Sequence, residues 1–549
     1  MSEKEKDIAT VEVQDLSETV AHTSAHDQQD MKRMGKKQQF VRSFHIVTSV
    51  AFTSCVMGTW ELLLTTSPPA LVAGGTAGLF WSCIWGYFGQ SFIVLSLAEM
   101  ASMAPTAGGQ YHWVSEFAPR RYQKVLSYTS GWLATLCWLS FTTVSCFVCG
   151  EMVQSMIILS NPDYIPERWH QTLLTIAFVI CVGLFNIFAA PWLAMLEGIF
   201  AFLHFIVFIP LVAAMWALAP VKQSARTALL MFQDNGTGWN NPSIALLIGQ
   251  VTAMFTLVGS DAAAHMAEEI RDAGVVVPRS MWWSFIANVP PTLAILITYC
   301  FCIGDTVAAI DSPTGFPIVD IFSKMTTTSS GAVGLTFVLF LLLVFITASC
   351  QASASRQTFA FARDDGLPLA RYIGSVHPHY KVPVNAIILS ISFTLVLSLI
   401  NIGSTAAFNA FLSVGVVALM ATYSISIFCV LLKRLRGERL GHARWKLLGK
   451  NVEDDGGGGG LGKYGVLVNS IALVYSIWSF FWSFWPAAKH AQPGTMNWAV
   501  VIFAGVMALA LATYLLHAKN VYDGPVARVV ILEEEDSSEE KSEGSSVSA

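Results

Sequence analysis

Charged side chains are scarce in this chain, and most of what the sequence excludes follows from that. Asp, Glu, Lys and Arg supply 13% of its 549 residues and hydrophobic residues 54%, whereas soluble domains usually run to roughly one quarter charged. A water-soluble globule is therefore excluded as the simple reading. The ten cysteines all lie inside apolar stretches. They show neither zinc spacing nor the setting of a disulfide framework, and read as small apolar packing residues. His377-Pro378-His379 offers too few ligands for a tetrahedral metal. Walker, nucleophile-elbow and zinc signatures are missing from the sequence, so no cofactor or metal is implied. ATP-driven pumping and hydrolysis lose support. No cleavable signal peptide is apparent, because the first 40 residues are polar and the first apolar run is too long for an h-region.

The formal net charge is −5, but residues 533–549 hold seven Asp or Glu against one Lys, and the remainder is nearly neutral. An acidic, Ser-rich end reads as a solvated, disordered tail, with a phosphorylated regulatory tail as the alternative.

What the chain has in abundance is apolar length. Twelve stretches stand out, roughly 44–69, 74–103, 126–160, 170–190, 192–218, 242–267, 281–304, 332–359, 384–402, 405–432, 464–486 and 496–518. Each can cross a hydrocarbon core of about 30 Å, which takes about 20 helical residues. An all-α polytopic membrane protein is expected, and an even number of spans puts both termini on one side. With the amino terminus inside, the cytosolic flanks hold 24 Lys or Arg and the outer loops only five, which places both termini in the cytosol under the positive-inside rule. The sequon Asn235-Gly236-Thr237 falls in the outer loop 219–241, making Asn235 a candidate glycan site in a eukaryotic cell. The basic loop 433–463 contains five glycines at 456–460 and reads as a flexible linker. The expected organisation is a disordered cytosolic tail over 1–43, a ten-helix transport core over 44–432, two added helices over 464–518 and an acidic cytosolic tail over 519–549.

Spans 1 and 6 are interrupted at matching places in two five-span blocks, about 44–218 and 242–432. Span 1 reads TSCVMGTWELLL and span 6 MFTLVGSDAAAH, each with small polar residues and a Gly near mid-depth followed by a carboxylate, Glu61 or Asp261. Broken helices expose backbone N–H and C=O groups that can hold a ligand. Ordinary Gly-mediated helix packing is the plainer alternative, and the cost of an ion within the membrane favours function. The candidate substrate site is Gly58, Thr59, Trp60 and Glu61 with Phe255, Gly259, Ser260 and Asp261.

Four further segments, LAEMASMAPTAGGQYHWVSEFAP (97–119), GSDAAAHMAEEIRDAGVVVPRSM (259–281), SRQTFAFARDDGLP (355–368) and KVPVNA (381–386), give the chain its resemblance to the amino acid–polyamine–organocation superfamily. Within it, the chain resembles the fungal permeases for choline, γ-aminobutyrate and related amines over about residues 40 to 520. The resemblance implies a LeuT-like fold of two inverted five-helix repeats, substrate held at the breaks of spans 1 and 6, and uptake driven by protons. In one departure, amino acid members often have a Gly-rich break in span 1 that receives the substrate carboxylate, whereas SCVMGTW has only Gly58. What remains suits a cation: a buried carboxylate beside an aromatic ring holds an ammonium by charge and cation–π attraction. For Trp60, core packing is the competing role.

Span 5 carries Glu197 and, two turns deeper, His204. A histidine in hydrocarbon usually bonds a neighbouring helix, yet it is also the side chain best suited to a coupling proton. At the cytosolic ends of spans 2, 6, 7 and 8, Glu99, His265, Glu268, Glu269, Arg271, Arg279 and Arg363 are either solvated helix ends or ion pairs that break and remake as the inner gate opens. The resulting expectation is a plasma-membrane secondary transporter, not an enzyme, that imports a small amine-bearing solute such as an amino acid, γ-aminobutyrate, choline or a polyamine with protons. The alternative is a transporter-like amino acid sensor.

Overall fold

A computed structural model describes residues 24–239, 241–403, 407–447, 460–493 and 496–526. Both tails in part (1–23 and 527–549, with the acidic run) and most of the glycine run lie outside the described residues. Among the described residues, twelve helices are long and apolar enough to cross a membrane. Spans 1 to 5 are Ile46–Thr66, Pro68–Met103, Arg120–Ser160, Arg168–Phe188 and Ala190–Leu218. Spans 6 to 10 are Pro242–His265, Ala273–Cys302, Ser329–Arg363, Val384–Gly403 and Asn409–Leu435, and spans 11 and 12 are Gly462–Trp482 and Ala499–Val521.

The middle of span 3 is wholly buried, and span 12 lies on the outside of the bundle with few of its residues buried. The sequence explains the difference. Span 3 alternates Ser, Thr, Cys and Gly with large apolar residues, and span 8 carries SCQASAS, so the two backbones approach closely and pack along their length. Span 12 presents Val501, Leu509, Leu511, Leu515 and Leu516 outward, as a lipid-facing helix should.

The packing pattern maps onto itself when every span number in the first block is raised by five. Span 1 packs on span 7 as span 6 packs on span 2, span 3 on span 9 as span 8 on span 4, and span 1 on span 5 as span 6 on span 10. Because five is odd, the second block is inverted relative to the first. The short helix Gln110–Phe117 between spans 2 and 3 finds its counterpart in Pro317–Thr326 between spans 7 and 8, at the opposite face.

Both described ends of the chain lie at one face. Tyr522 bonds Ser127 near the start of span 3 at 2.6 Å, and the helix Ala25–Arg33 sits against the start of span 7. Residues 24–43 belong to the segment expected as a disordered tail, yet here they are helical in part and bury Met31, Met34 and Phe40. Fourteen polar residues among the twenty of that stretch hide the signal, because burial comes from contacts with distant helix ends rather than from any local apolar run.

Candidate functional site

Span 1 breaks at Gly58, whose φ of +42° joins Ile46–Met57 to Thr59–Thr66. A β-carbon there would lie 2.3 Å from Ile346 Cδ1 on span 8, so that side chain would have to move, and the left-handed backbone favours glycine. Span 6 breaks where Val258 is extended and Gly259 has a φ of +100°, before the short turn Ala262–His265. The two breaks touch, with Gly259 packed over Val56 and Met57.

Glu61 and Asp261, both fully buried, have different surroundings. Glu61 Oε1 lies 2.7 Å from His204 Nδ1, and His204 Nε2 lies 3.0 Å from Asn288 Oδ1 on span 7. Thr59 donates to the same Asn288 oxygen at 2.8 Å and meets Thr292 at 2.6 Å. Trp60 is buried and donates its indole N–H to the His204 carbonyl at 3.2 Å. One polar network thus joins spans 1, 5 and 7.

Asp261 instead accepts from Gln110 at 2.6 Å and from the Tyr423 hydroxyl at 2.7 Å, with His265 Nε2 3.6 Å away. Gln110 reaches it because Gly109, with a φ of +51°, brings the chain so near that a β-carbon would lie 3.0 Å from the His265 ring. His265 Nδ1 meets the Ala107 carbonyl at 3.0 Å and so carries a hydrogen there. Aromatic rings continue the wall: His265 meets Trp138 edge-on, Trp138 meets Phe141, and Phe141 meets Phe255 at 5.2 Å. Around the breaks, Ser54 Oγ, Glu61 Oε2, Trp138 Nε1, Ser260 Oγ and His265 Nε2 are buried without a hydrogen-bond partner among the described residues. A buried polar group in that condition is costly unless something else meets it, which leaves these groups of spans 1, 3 and 6 open to water or to a polar ligand.

Glu197 lies two turns from His204 on span 5. Its Oε1 accepts from Ser349 of span 8 at 2.5 Å, its carbonyl faces Cys55 Sγ at 3.8 Å, and its Oε2 has no partner among the described residues. Asn235 at the opposite face is half-buried and donates its amide to the Leu71 carbonyl at 2.9 Å, so a glycan there requires that amide to turn outward.

At the terminus-bearing face the acidic candidate gate residues are paired, whereas His265, expected with them, sits deeper beside Asp261 and Trp138. Arg363 grips both oxygens of Glu268 at 2.7 Å, Arg356 holds Glu269 at 2.8 Å and Arg434 holds Glu99 at 2.5 Å. Arg271 donates to the Arg42 carbonyl, and Arg279 stands apart on an exposed face of span 7. Burial alone would raise the Glu268 carboxyl, but Arg363, with Lys36 and Arg42, holds it below its ordinary value. Asp364 behaves alike, pushed up by burial and brought below the usual range by Lys36 and Arg363. Burial, reinforced by Lys36, pushes the His112 imidazole down to about 3, so that ring stays neutral.

The amino-terminal segment closes this face. Asp27 accepts from the backbone N–H groups of Asp272 and Ala273 at 2.8 and 2.9 Å, capping span 7, and pairs with Arg42 at 3.4 Å. Gln38 donates to the Glu268 carbonyl at 2.7 Å, and Lys36 pairs with Asp364. The sequence alone left Gln110, Asn288, Trp138, Tyr423, Arg356 and Arg434 unassigned. Asn288 had a usable signal, a lone amide just before Pro290-Pro291 in an apolar span. Tyr423 had none.

The relatives are transporters. The amino acid permease family model matches residues 42–506. A Macrophomina phaseolina protein named as a candidate amino acid/polyamine transporter is 30% identical, covering 82% of this chain and 96% of its own. The choline transporter of Saccharomyces cerevisiae is 25% identical over 88% of this chain and 82% of its own, and amino-acid permease 2 of Neurospora crassa 27% over 90% and 88%. Among solved structures, the manganese transporter of Eremococcus coleocola superposes with a TM-score of 0.52 at 11% identity, covering 88% of this chain and 94% of its own; that likeness bears on the fold alone, which is LeuT-like. With twelve spans, two inverted repeats and a family match across nearly the whole membrane core, this chain belongs to the amino acid permease family.

Proposed function

We propose that this permease imports a small amine-bearing solute across the plasma membrane, driven by protons, with both termini in the cytosol. The observation that carries the substrate class is Asp261. It is a fully buried carboxylate at the break of span 6 whose two oxygens accept only from neutral donors, Gln110 and Tyr423. Its negative charge has no full counter-charge from those groups, and the aromatic wall of Trp138, Phe141 and Phe255 lies alongside. An ammonium would supply the missing charge. The names of the choline and amino acid/polyamine relatives support the same class.

Gly58, Thr59, Trp60 and Glu61 would form the span 1 side of this site, with Glu197 and His204 as the coupling groups. Glu268 with Arg363, Glu269 with Arg356 and Glu99 with Arg434 would form the inner barrier, closed here. The excess of basic residues on the terminus-bearing side supports the orientation, and a reporter fused after Ala549 should be found inside the cell; an external reporter would reverse it. The deciding experiment is uptake of labelled choline, γ-aminobutyrate, putrescine and the proteinogenic amino acids in a host lacking its own permeases, with and without a proton gradient. Uptake of uncharged or anionic solutes alone overturns the amine assignment.

A further inference from the structure

The direction of each hydrogen bond around His204 can be worked out. The Asn288 side chain makes three contacts: Nδ2 donates to the Ser284 carbonyl at 2.9 Å, while Oδ1 faces Thr59 Oγ1 and His204 Nε2. A backbone carbonyl only accepts, so turning the amide over would set two acceptors against each other. Oδ1 therefore faces the imidazole, and His204 Nε2 must carry a hydrogen. On the other side, Nδ1 lies 2.7 Å from Glu61 Oε1. A bare Nδ1 facing a carboxylate is repulsive at that distance. Either Nδ1 also carries a hydrogen, giving an imidazolium beside a carboxylate, or Glu61 is protonated and donates to Nδ1. Both descriptions contain the same number of protons.

We infer that the Glu61–His204 pair binds one labile proton in this conformation, and that Asn288 is the positioning residue that makes the proton obligatory. This deepens the proton-coupled reading above, on which it rests. When the proton leaves to water, the products are the Glu61 carboxylate and a neutral imidazole with one N–H for two acceptors. The network that holds Thr59–Thr66 against spans 5 and 7 then loses a contact. Proton binding and the closed position of that half-helix are linked in this way, as coupling requires.

The titratable groups facing the pair are few. Span 1 contributes Cys55, span 5 Glu197 and span 2 Tyr87, which reaches the Asn288 carbonyl at 3.4 Å. Span 7 meets the network through Asn288 and Thr292, neither of which titrates, span 8 meets Glu197 through Ser349, and the half of span 6 from Pro242 to Leu257 has no titratable residue. The helix Pro317–Thr326 pairs its Asp320 and Lys324 with each other at the surface.

Glu61→Gln makes the sharpest test. A glutamine amide donates to Nδ1 and leaves Nε2–H on Asn288, so every contact is met with no labile proton. The purified full-length protein is titrated with alkali in weakly buffered detergent against an indicator dye, which needs no substrate. The wild type is expected to release one more proton per chain than Glu61→Gln, and Asn288→Leu to release it about one pH unit lower, the worth of one hydrogen bond to a charged group. Equal release by wild type and Glu61→Gln overturns the inference, as does an unshifted Asn288→Leu; if Asn288→Leu does not elute as a monodisperse species, Glu61→Gln decides alone. Proteoliposomes separate this from the parent reading. Uptake of a labelled mixture of the twenty amino acids, γ-aminobutyrate, choline and putrescine without dye-reported proton flux overturns proton coupling. Coupled uptake with no difference in release assigns the proton elsewhere, Glu197 first.

Discussion

The two breaks place a carboxylate at equivalent positions and surround it differently. Glu61 has an imidazole within hydrogen-bond reach at 2.7 Å, whereas Asp261 accepts from a tyrosine hydroxyl and a glutamine amide and has its nearest imidazole, that of His265, farther off at 3.6 Å. Imidazole exchanges its proton near neutral pH, whereas a phenol and an amide do not. A pair of inverted repeats has thus been specialised through its neighbours rather than its backbone. In the proposed reading, one carboxylate shares a proton with its histidine and the other pairs with the ligand.

Replacing the fixed charge should have the largest effect. In Asp261→Asn, the new oxygen can accept from Gln110 and the new amide can donate to the Tyr423 oxygen, so folding and surface expression should survive. Uptake of cationic solutes should fall about 100-fold or more, the scale expected when a buried charge partner is removed. Unchanged affinity for the native amine would make Asp261 structural and erase the distinction between the two breaks. Next in size is the barrier: Glu268→Lys sets a cation against Arg363, and uptake should fall about tenfold, on the order of a lost buried hydrogen-bonded pair. Normal uptake would show that the pairing is incidental to closure. His204→Ala should leave uptake measurable while flattening its dependence on external pH to within about threefold between pH 5 and 8, the range over which imidazole titrates. An unchanged profile would make the partner of Glu61 irrelevant to its role.

The contrast was only half legible in the sequence. Spans and breaks could be read because the bilayer imposes length and polarity rules on each segment separately. Gly58 and Gly259 announce broken helices, and Glu61 and Asp261 stand out because ions are rare in hydrocarbon. Partners are another matter. Tyr423 lies 162 residues from Asp261, Gln110 151 residues away, and Asn288 84 from His204. Nothing local marks a tyrosine in span 10 as the one that reaches span 6. The folded amino-terminal segment was hidden for the same reason: Asp27, an ordinary acidic residue by composition, is buried only because it caps a helix 245 residues on.

The smallest effect is expected where the charges are locked. Glu268 and Asp364 have carboxyls held below their ordinary values by Arg363 and Lys36, against the upward push of burial. A carboxyl lowered in the folded state contributes stability that is present above its ordinary value of about 4.3 for Glu or 3.9 for Asp, and is lost only as pH falls through the still lower folded value. Neither boundary is crossed between pH 6 and 9. Hydrogen exchange of residues 266–272, corrected for the intrinsic rate, should therefore change less than about twofold across that range. If the inferred proton of the Glu61–His204 pair holds residues 59–66 closed, they should lose protection by about tenfold or more as pH rises, since local opening reports the free energy of the contacts that keep a segment closed. The comparison of the two segments within one sample removes effects of pH on the whole protein. Equal responses would mean that the proton-trading break and the fixed-charge barrier open as a single unit, and that pairing a carboxylate with histidine confers no separate sensitivity.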